Sequence, residues 1–188
     1  MLKPRHFWIT EIKVFDSKLS TQELAGMIDH TLLKPDATIS EITQLCEEAM
    51  QNNFASVCVN PCYVETCFNL IKSSNVKVCT VIGFPLGATT TRTKYLEAEE
   101  AIKNGAEELD MVINIGKLKD SDYDFIFNDL KSIADLSKRH LCTSKVILET
   151  CLLTDEEKAV ACLLAKEAGL NFVKTSKPFS FIKIVSSI

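Results

Sequence analysis

Short apolar runs and amphipathic stretches alternate along this chain, and that alternation constrains its fold more than any other feature. Strand-like runs fall at MIDHTLL (27–33), SVCVN (56–60), KVCTVIGF (77–84), ELDMVINI (108–115), KVILET (145–150) and FVKTS (172–176). The stretches between them read as helices with marked ends. Thr38 and Glu41 form a capping box ahead of the stripe Ile42, Leu45, Cys46 and Ala49. Asn60-Pro61 ends a strand and leads into a helix over roughly Cys62 to Ser73. A helix over about Thr91 to Asn104 closes with Gly105 at the left-handed C′ position. The next covers about Asp122 to Arg139, with Ile126, Leu130 and Ile133 on one face. Thr154 and Glu157 open the last helix, which closes at Gly169.

Strand, helix, strand, joined by short connections, gives parallel βαβ units. The strands are continuously apolar, as they must be when helices cover the sheet. An open sheet that binds a nucleotide carries a glycine-rich turn after an early strand, and neither GxGxxG nor GxxxxGK[ST] occurs here. Polar residues instead cluster at the C-terminal ends of several strands: Asp29 and Thr31, Asn60, Asn114, Glu149, and Lys174 with Ser176. Barrel enzymes build their sites there. The expected fold is α/β, of the (β/α)8 TIM-barrel kind, with about six βα units visible where the closed form needs eight. All 188 residues are expected to form one domain.

Composition excludes several functions. With 21 Lys and Arg against 25 Asp and Glu, and no basic block, the chain is not expected to bind nucleic acid. No apolar run reaches the about 18 residues of a membrane span. The opening MLKPRHFWITEIKVF lacks the apolar region and small-residue cleavage site of a secretory signal. A cytoplasmic protein with reduced thiols is therefore expected. The eight cysteines lie mostly within apolar patterns, and CVNPCYVETC lacks a second pair or histidine to complete a tetrahedral site. We expect no metal.

Strand parity places Asp110, Val112 and Asn114 on one face, Lys145, Ile147 and Glu149 on another, and Phe172, Lys174 and Ser176 on a third. If those faces point into a barrel, Asp110, Lys145 and Lys174 share a confined space. Desolvation and a neighbouring cation both lower a lysine pKa and free its amine as a nucleophile. Such an amine condenses with a carbonyl to give a Schiff base, whose iminium accepts electrons as a carbon–carbon bond forms or breaks. A nearby carboxylate relays the protons. The competing reading of the same residues is a structural ion pair between Asp110 and Lys145 or Lys174. Cys58 reads as a thiol near the site or a core cysteine. His30 faces away from Asp29 by parity and is expected to pack against a helix.

The segments IDHTLLKPDAT, CVNP, TVIGFPLGA, ELDMVINIGKLK, KVILET, LTDEEK and AGLNFVKTS, in this order, closely resemble deoxyribose-phosphate aldolases of the bacterial type. The resemblance runs from about residue 28 to 176. It implies a metal-free, cofactor-free class I aldolase on a (β/α)8 barrel. Such an enzyme reversibly cleaves 2-deoxy-D-ribose 5-phosphate to D-glyceraldehyde 3-phosphate and acetaldehyde, in deoxyribose phosphate catabolism. By motif it implies Lys174 as the Schiff-base lysine and Asp110 as the proton relay. Asp29, Thr31, Cys58 and Lys145 would line the substrate pocket.

Beyond Ser176 the resemblance stops. The family pattern continues into a Thr-Gly turn and two further strand–helix units, which carry a second active-site lysine and the loops that hold phosphate. Here Pro178 stands at the glycine, where it can neither adopt a positive φ nor donate an amide. We expect a C-terminally truncated product of an aldolase gene, with a divergent tail over 177–188. Six strands would leave an open edge. The tail FSFIKIVSSI would add a seventh strand over that edge, or the edge would pair with another chain, including a second copy. A non-catalytic interaction protein is the alternative function.

Overall fold

The structure, a computed structural model, describes residues 19–175 and 185–187. Six parallel strands run in chain order: β1 (Asp29–Leu32), β2 (Ser56–Val59), β3 (Lys77–Ile82), β4 (Glu108–Val112), β5 (Thr143–Ile147) and β6 (Phe172–Lys174). Each pairs with its predecessor, the arrangement that crossover helices produce. The helices are α1 (Thr21–Ala25), α2 (Ile39–Asn52), α3 (Val64–Ile71), α4 (Thr91–Lys103), α5 (Ile115–Lys119), α6 (Tyr123–His140) and α7 (Asp155–Ala168).

Both capping boxes form. Thr38 and Thr154 accept from the backbone amides of Glu41 and Glu157, whose carboxylates accept from the cap amides in return. Gly105 and Gly169 take the left-handed conformation that ends their helices. Several boundaries differ from the sequence reading, with β5 shifted to Thr143–Ile147, and two of them have a clear local cause. The stretch after Asn60 begins as a 3-10 turn, Pro61–Tyr63, before α3. The fourth strand stops at Val112, because the Asn114 side chain accepts from the Lys117 amide at 3.2 Å and starts α5.

Apolar side chains lie on both faces of the sheet. The larger cluster packs Val57, Val59, Leu109 and Met111 of the strands against Ile42 and Leu45 of α2, and Ile126, Leu130 and Ile133 of α6. A smaller cluster on the opposite face joins Cys58, Cys79, Val81, Val112 and Ile147. Odd and even strand positions thus separate into a helix-facing layer and an inner layer. His30 follows the helix-facing set: its Nε2 lies 2.7 Å from Glu48 of α2, and its ring packs 5.1 Å from that of Phe54.

The sheet curls. β1 and β6 are separated by four intervening strands, yet Lys174 Nζ lies 2.7 Å from Asp29 Oδ2. Side chains at opposite ends of a flat sheet could not meet, since neighbouring strands are about 4.8 Å apart. The six parallel strands therefore form an incomplete, half-barrel arc, as their number implies. The strand expected in the tail is β7 (Val185–Ser187), which pairs with β6 antiparallel. Among the described residues, no helix is long and apolar enough to cross a membrane. Ser176 and Pro178 lie outside the described residues.

Candidate active site

The inner face of the arc gathers charge that no isolated strand could bury. Its residues alternate along their strands with helix-facing apolar ones: Glu108 and Asp110 on β4, Lys145 on β5, Lys174 on β6, and Asp29 on β1. Asp110 stands in register with Lys145, and Lys174 with Ile147, one step further along the arc. Lys174 and Asp110 are fully buried, and Lys145 is 3% exposed.

Lys174 donates to Asp29 Oδ2 at 2.7 Å and to Asp110 Oδ2. Lys145 donates to the same Asp29 oxygen at 3.1 Å and to Cys79 Sγ at 3.7 Å. It also makes ionic contacts with Glu108 Oε2 at 2.5 Å and Asp110 Oδ1 at 3.2 Å. Ser56 Oγ donates to the second Asp29 oxygen at 2.7 Å. Glu108 reaches towards the rim, where the half-exposed Lys77 lies 3.6 Å away. Three carboxylates thus surround two buried ammonium groups, so the charges are paired, as burial requires.

This pairing corrects one expectation. A lysine in a confined site was expected to have a lowered pKa and an uncharged amine. Burial does push Lys174 that way, but the Asp110 carboxylate outweighs it and holds the amine above the ordinary lysine range. Lys145 is raised in the same sense: burial lowers it, and Cys79, Asp110, Asp29 and Glu108 raise it. Burial keeps the Cys79 thiol protonated, so near neutral pH the carboxylates carry that effect. The carboxyls respond in turn. Burial would raise Asp29 and Asp110, but the Lys174 and Lys145 ammonium groups hold both below the usual carboxylate range. The cation beside Lys174 therefore matters less than the two anions touching it.

The structure brings together Lys174, Asp110, Asp29, Lys145 and Cys58. Cys58 is buried in the inner cluster as a core cysteine, with its thiol within 4.8 Å of the Cys79 thiol and an Asp110 carboxylate oxygen. Thr31 lies two residues beyond Asp29, and its hydroxyl donates to the Asp29 carbonyl at 2.8 Å. The other polar strand-end residues take local roles. Asn114 caps α5, Asn60 lies 3.4 Å from the Lys34 carbonyl, and Glu149 adopts a left-handed backbone and accepts from Cys151.

Sequence reasoning missed Glu108 and Cys79. Glu108 shares its parity with Asp110, and Cys79 its parity with Val81, so the same alternation could have found both. It also missed Lys94, a fully buried helix lysine paired with Asp129 at 2.5 Å. The helical spacing of Lys94, Ala98 and Ala101 marks it as a core-facing position.

Cys58, Cys79 and Asp110 bring potential metal-ligand atoms within 4.8 Å of one another. Lys145 already contacts Cys79 and Asp110, and Lys174 contacts Asp110. Two ammonium groups thus stand where a dication's positive charge would have to go. The arrangement suits amine chemistry: a buried amine at a strand end, with two carboxylates in contact that could take its proton.

Residues 23–186 match a family model described as DeoC/LacD family aldolase. A deoxyribose-phosphate aldolase of Clostridium perfringens is 57% identical over 162 residues, covering 86% of this chain and 72% of that protein. One from Caldanaerobacter subterraneus subsp. tengcongensis is 54% identical over 161 residues, covering 85% and 70%. Among solved structures, the tetrameric deoxyribose phosphate aldolase of Aeropyrum pernix superposes with a TM-score of 0.78 at 34% identity. That match covers 84% of this chain, which spans 65% of the Aeropyrum chain.

Proposed function

This chain belongs to the DeoC/LacD family of aldolases, and from that membership we propose a class I deoxyribose-phosphate aldolase with Lys174 as nucleophile. The observation that carries the reading is Lys174 itself, fully buried at the end of β6 and held by Asp29 and Asp110.

In this reading the ammonium form is the resting state. Lys174 passes a proton to Asp110 or Asp29 and attacks the substrate aldehyde carbon, giving a carbinolamine. Loss of water leaves the iminium. Deprotonation of the C3 hydroxyl then drives cleavage of the C2–C3 bond, whose electron pair is delocalised into the C1 iminium as an enamine. The departing half leaves as an aldehyde. Asp110 returns a proton to the enamine carbon, and water hydrolyses the resulting imine to acetaldehyde and free Lys174. Asp29 orients the amine, Lys145 balances the carboxylates, and Cys58 and Thr31 line the cavity. The substrate is a small phosphorylated sugar, in keeping with the names of the relatives. We place the protein in the cytoplasm, with no nucleic-acid partner, and as a homo-oligomer or a chain that pairs through its sheet edge. The alternative of a non-catalytic interaction protein finds no support among these relatives.

Acetaldehyde with borohydride should leave an ethyl group on Lys174, located by peptide mass, and Lys174→Ala should abolish it. A well-folded protein with no adduct at any pH would overturn the reading. Comparing turnover of 2-deoxyribose with that of its 5-phosphate tests the substrate class.

A further inference from the structure

Asp110 has two unlike oxygens. Oδ2 accepts from Lys174, whereas Oδ1 is buried and makes no hydrogen bond among the described residues. The Lys145 amine comes within 3.2 Å of Oδ1, yet its hydrogen bonds go to Asp29 and Cys79. Its tightest ionic contact, at 2.5 Å, is Glu108 Oε2. Glu108 and Asp110 are two residues apart on β4 and so lie on one face, with Glu108 nearer the N-terminal end. Its second oxygen faces Lys77 at the rim.

We infer that Glu108 is a positioning residue: it draws the Lys145 amine towards the N-terminal end of β4, so that the amine stands 3.2 Å from Asp110 Oδ1 without hydrogen-bonding it and leaves that oxygen able to accept a proton. The inference rests on the aldolase reading above. Once Lys174 has become an imine with a bound aldehyde, the proton to be moved is on the adjacent carbon. The C–H bond breaks, its electron pair forms the enamine double bond while the iminium nitrogen takes up the π pair, and the proton goes to Asp110 Oδ1. A carboxylate oxygen capped by an ammonium hydrogen bond is a weaker base than an open one. Without Glu108, Lys145 keeps only the longer contacts with Cys79 and Asp29, and its amine would turn onto Oδ1. The charged and titratable groups facing this exchange are Asp29 of β1, Cys58 of β2, Lys77 and Cys79 of β3, Lys145 of β5 and Lys174 of β6.

Two readouts separate imine formation from proton movement. The first is borohydride trapping of acetaldehyde on Lys174. The second is deuterium incorporation into acetaldehyde from D2O, catalysed by the same protein. Glu108→Gln should still trap, within about twofold, while its exchange rate falls about tenfold or more. Glu108→Asp should recover part of the exchange. In Glu108→Gln/Lys145→Met, where the Lys145 amine can no longer reach Asp110 Oδ1, exchange should rise above that of Glu108→Gln alone. Trapping and exchange that fall together would assign Glu108 a merely structural role and overturn the inference. Unchanged exchange in Glu108→Gln would overturn it too, as would a double variant no faster than the single one. A wild-type chain that neither traps nor exchanges would instead defeat the underlying aldolase reading, and the inference with it.

Discussion

Lys174 Nζ lies 2.7 Å from Asp29 Oδ2, joining positions 145 residues apart at the two ends of the parallel arc. That one contact closes the charged cluster across the arc and adds a second carboxylate beside the amine that Asp110 already holds protonated. Asp29→Asn keeps the shape and removes one of the two carboxylates touching the amine. Its Lys174 amine should deprotonate at lower pH, so borohydride trapping of acetaldehyde should reach half its maximum at a lower pH than in the wild type. The same variant should lose about 3 kcal/mol or more of stability in urea titration, as when one partner of a buried ion pair is removed.

The cavity charges also define a pH window for stability. Asp29 and Asp110 have folded pKa values below their unfolded ones. Their contribution is present above the ordinary carboxylate range, about 4, and is lost as pH falls through the lower folded values. Lys145 and Lys174 are raised, so their contribution is full below the ordinary lysine value of about 10.4 and is lost as pH climbs through the folded values. Melting temperature should hold a plateau between those limits and fall on both sides. Asp29→Asn should flatten the acid limb.

A second buried pair, Lys94 with Asp129, ties α4 to α6 beneath the end of β4. Lys94 donates to Asp129 at 2.5 Å and to the Val112 carbonyl at 3.0 Å, and the Thr91 hydroxyl satisfies the other Asp129 oxygen. Lys94→Met should cost about 3–5 kcal/mol, because it strands a buried carboxylate. Lys94→Met/Asp129→Leu should recover a large part of that loss by replacing both charges with apolar groups. Chemical denaturation of the four-member cycle checks this.

Gly87 and Gly169 both have positive φ, but their surroundings differ. A Cβ on Gly87 would lie 2.1 Å from the Ile113 carbonyl oxygen, whereas one on Gly169 would meet nothing within 4 Å. Gly169→Ala should therefore cost only the backbone strain, about 1 kcal/mol. Gly87→Ala must also push the β3–α4 connection off the backbone after β4, and should be the more destabilising by urea titration.

Much of this arc was legible in the residues. The capping boxes at Thr38 and Thr154 and the glycines at 105 and 169 mark helix ends through local chemistry, and all four behave as read. Parity put Asp110, Lys145 and Lys174 on faces that do converge, and sent His30 to the helices. The same rule applied one step further would have found Glu108. Asn114 was harder to read, because an asparagine at a strand end serves equally as a pocket group or a helix cap. Only the Lys117 amide above it decides between them.

The sequence by itself determined the order of the six parallel strands and of the longer helices between them, the layer to which each strand residue belongs, and the family. Those properties follow from short-range periodicity, capping and motif. Only the tertiary structure decided the state of Lys174. Its protonation depends on how many anions stand within contact distance, and those anions come from β1 and β4, far away in the chain. Parity can say that a lysine enters the cavity. It cannot say whether a cation or two carboxylates meet it there, because Coulomb interactions follow distance in space, which the curl of the sheet sets.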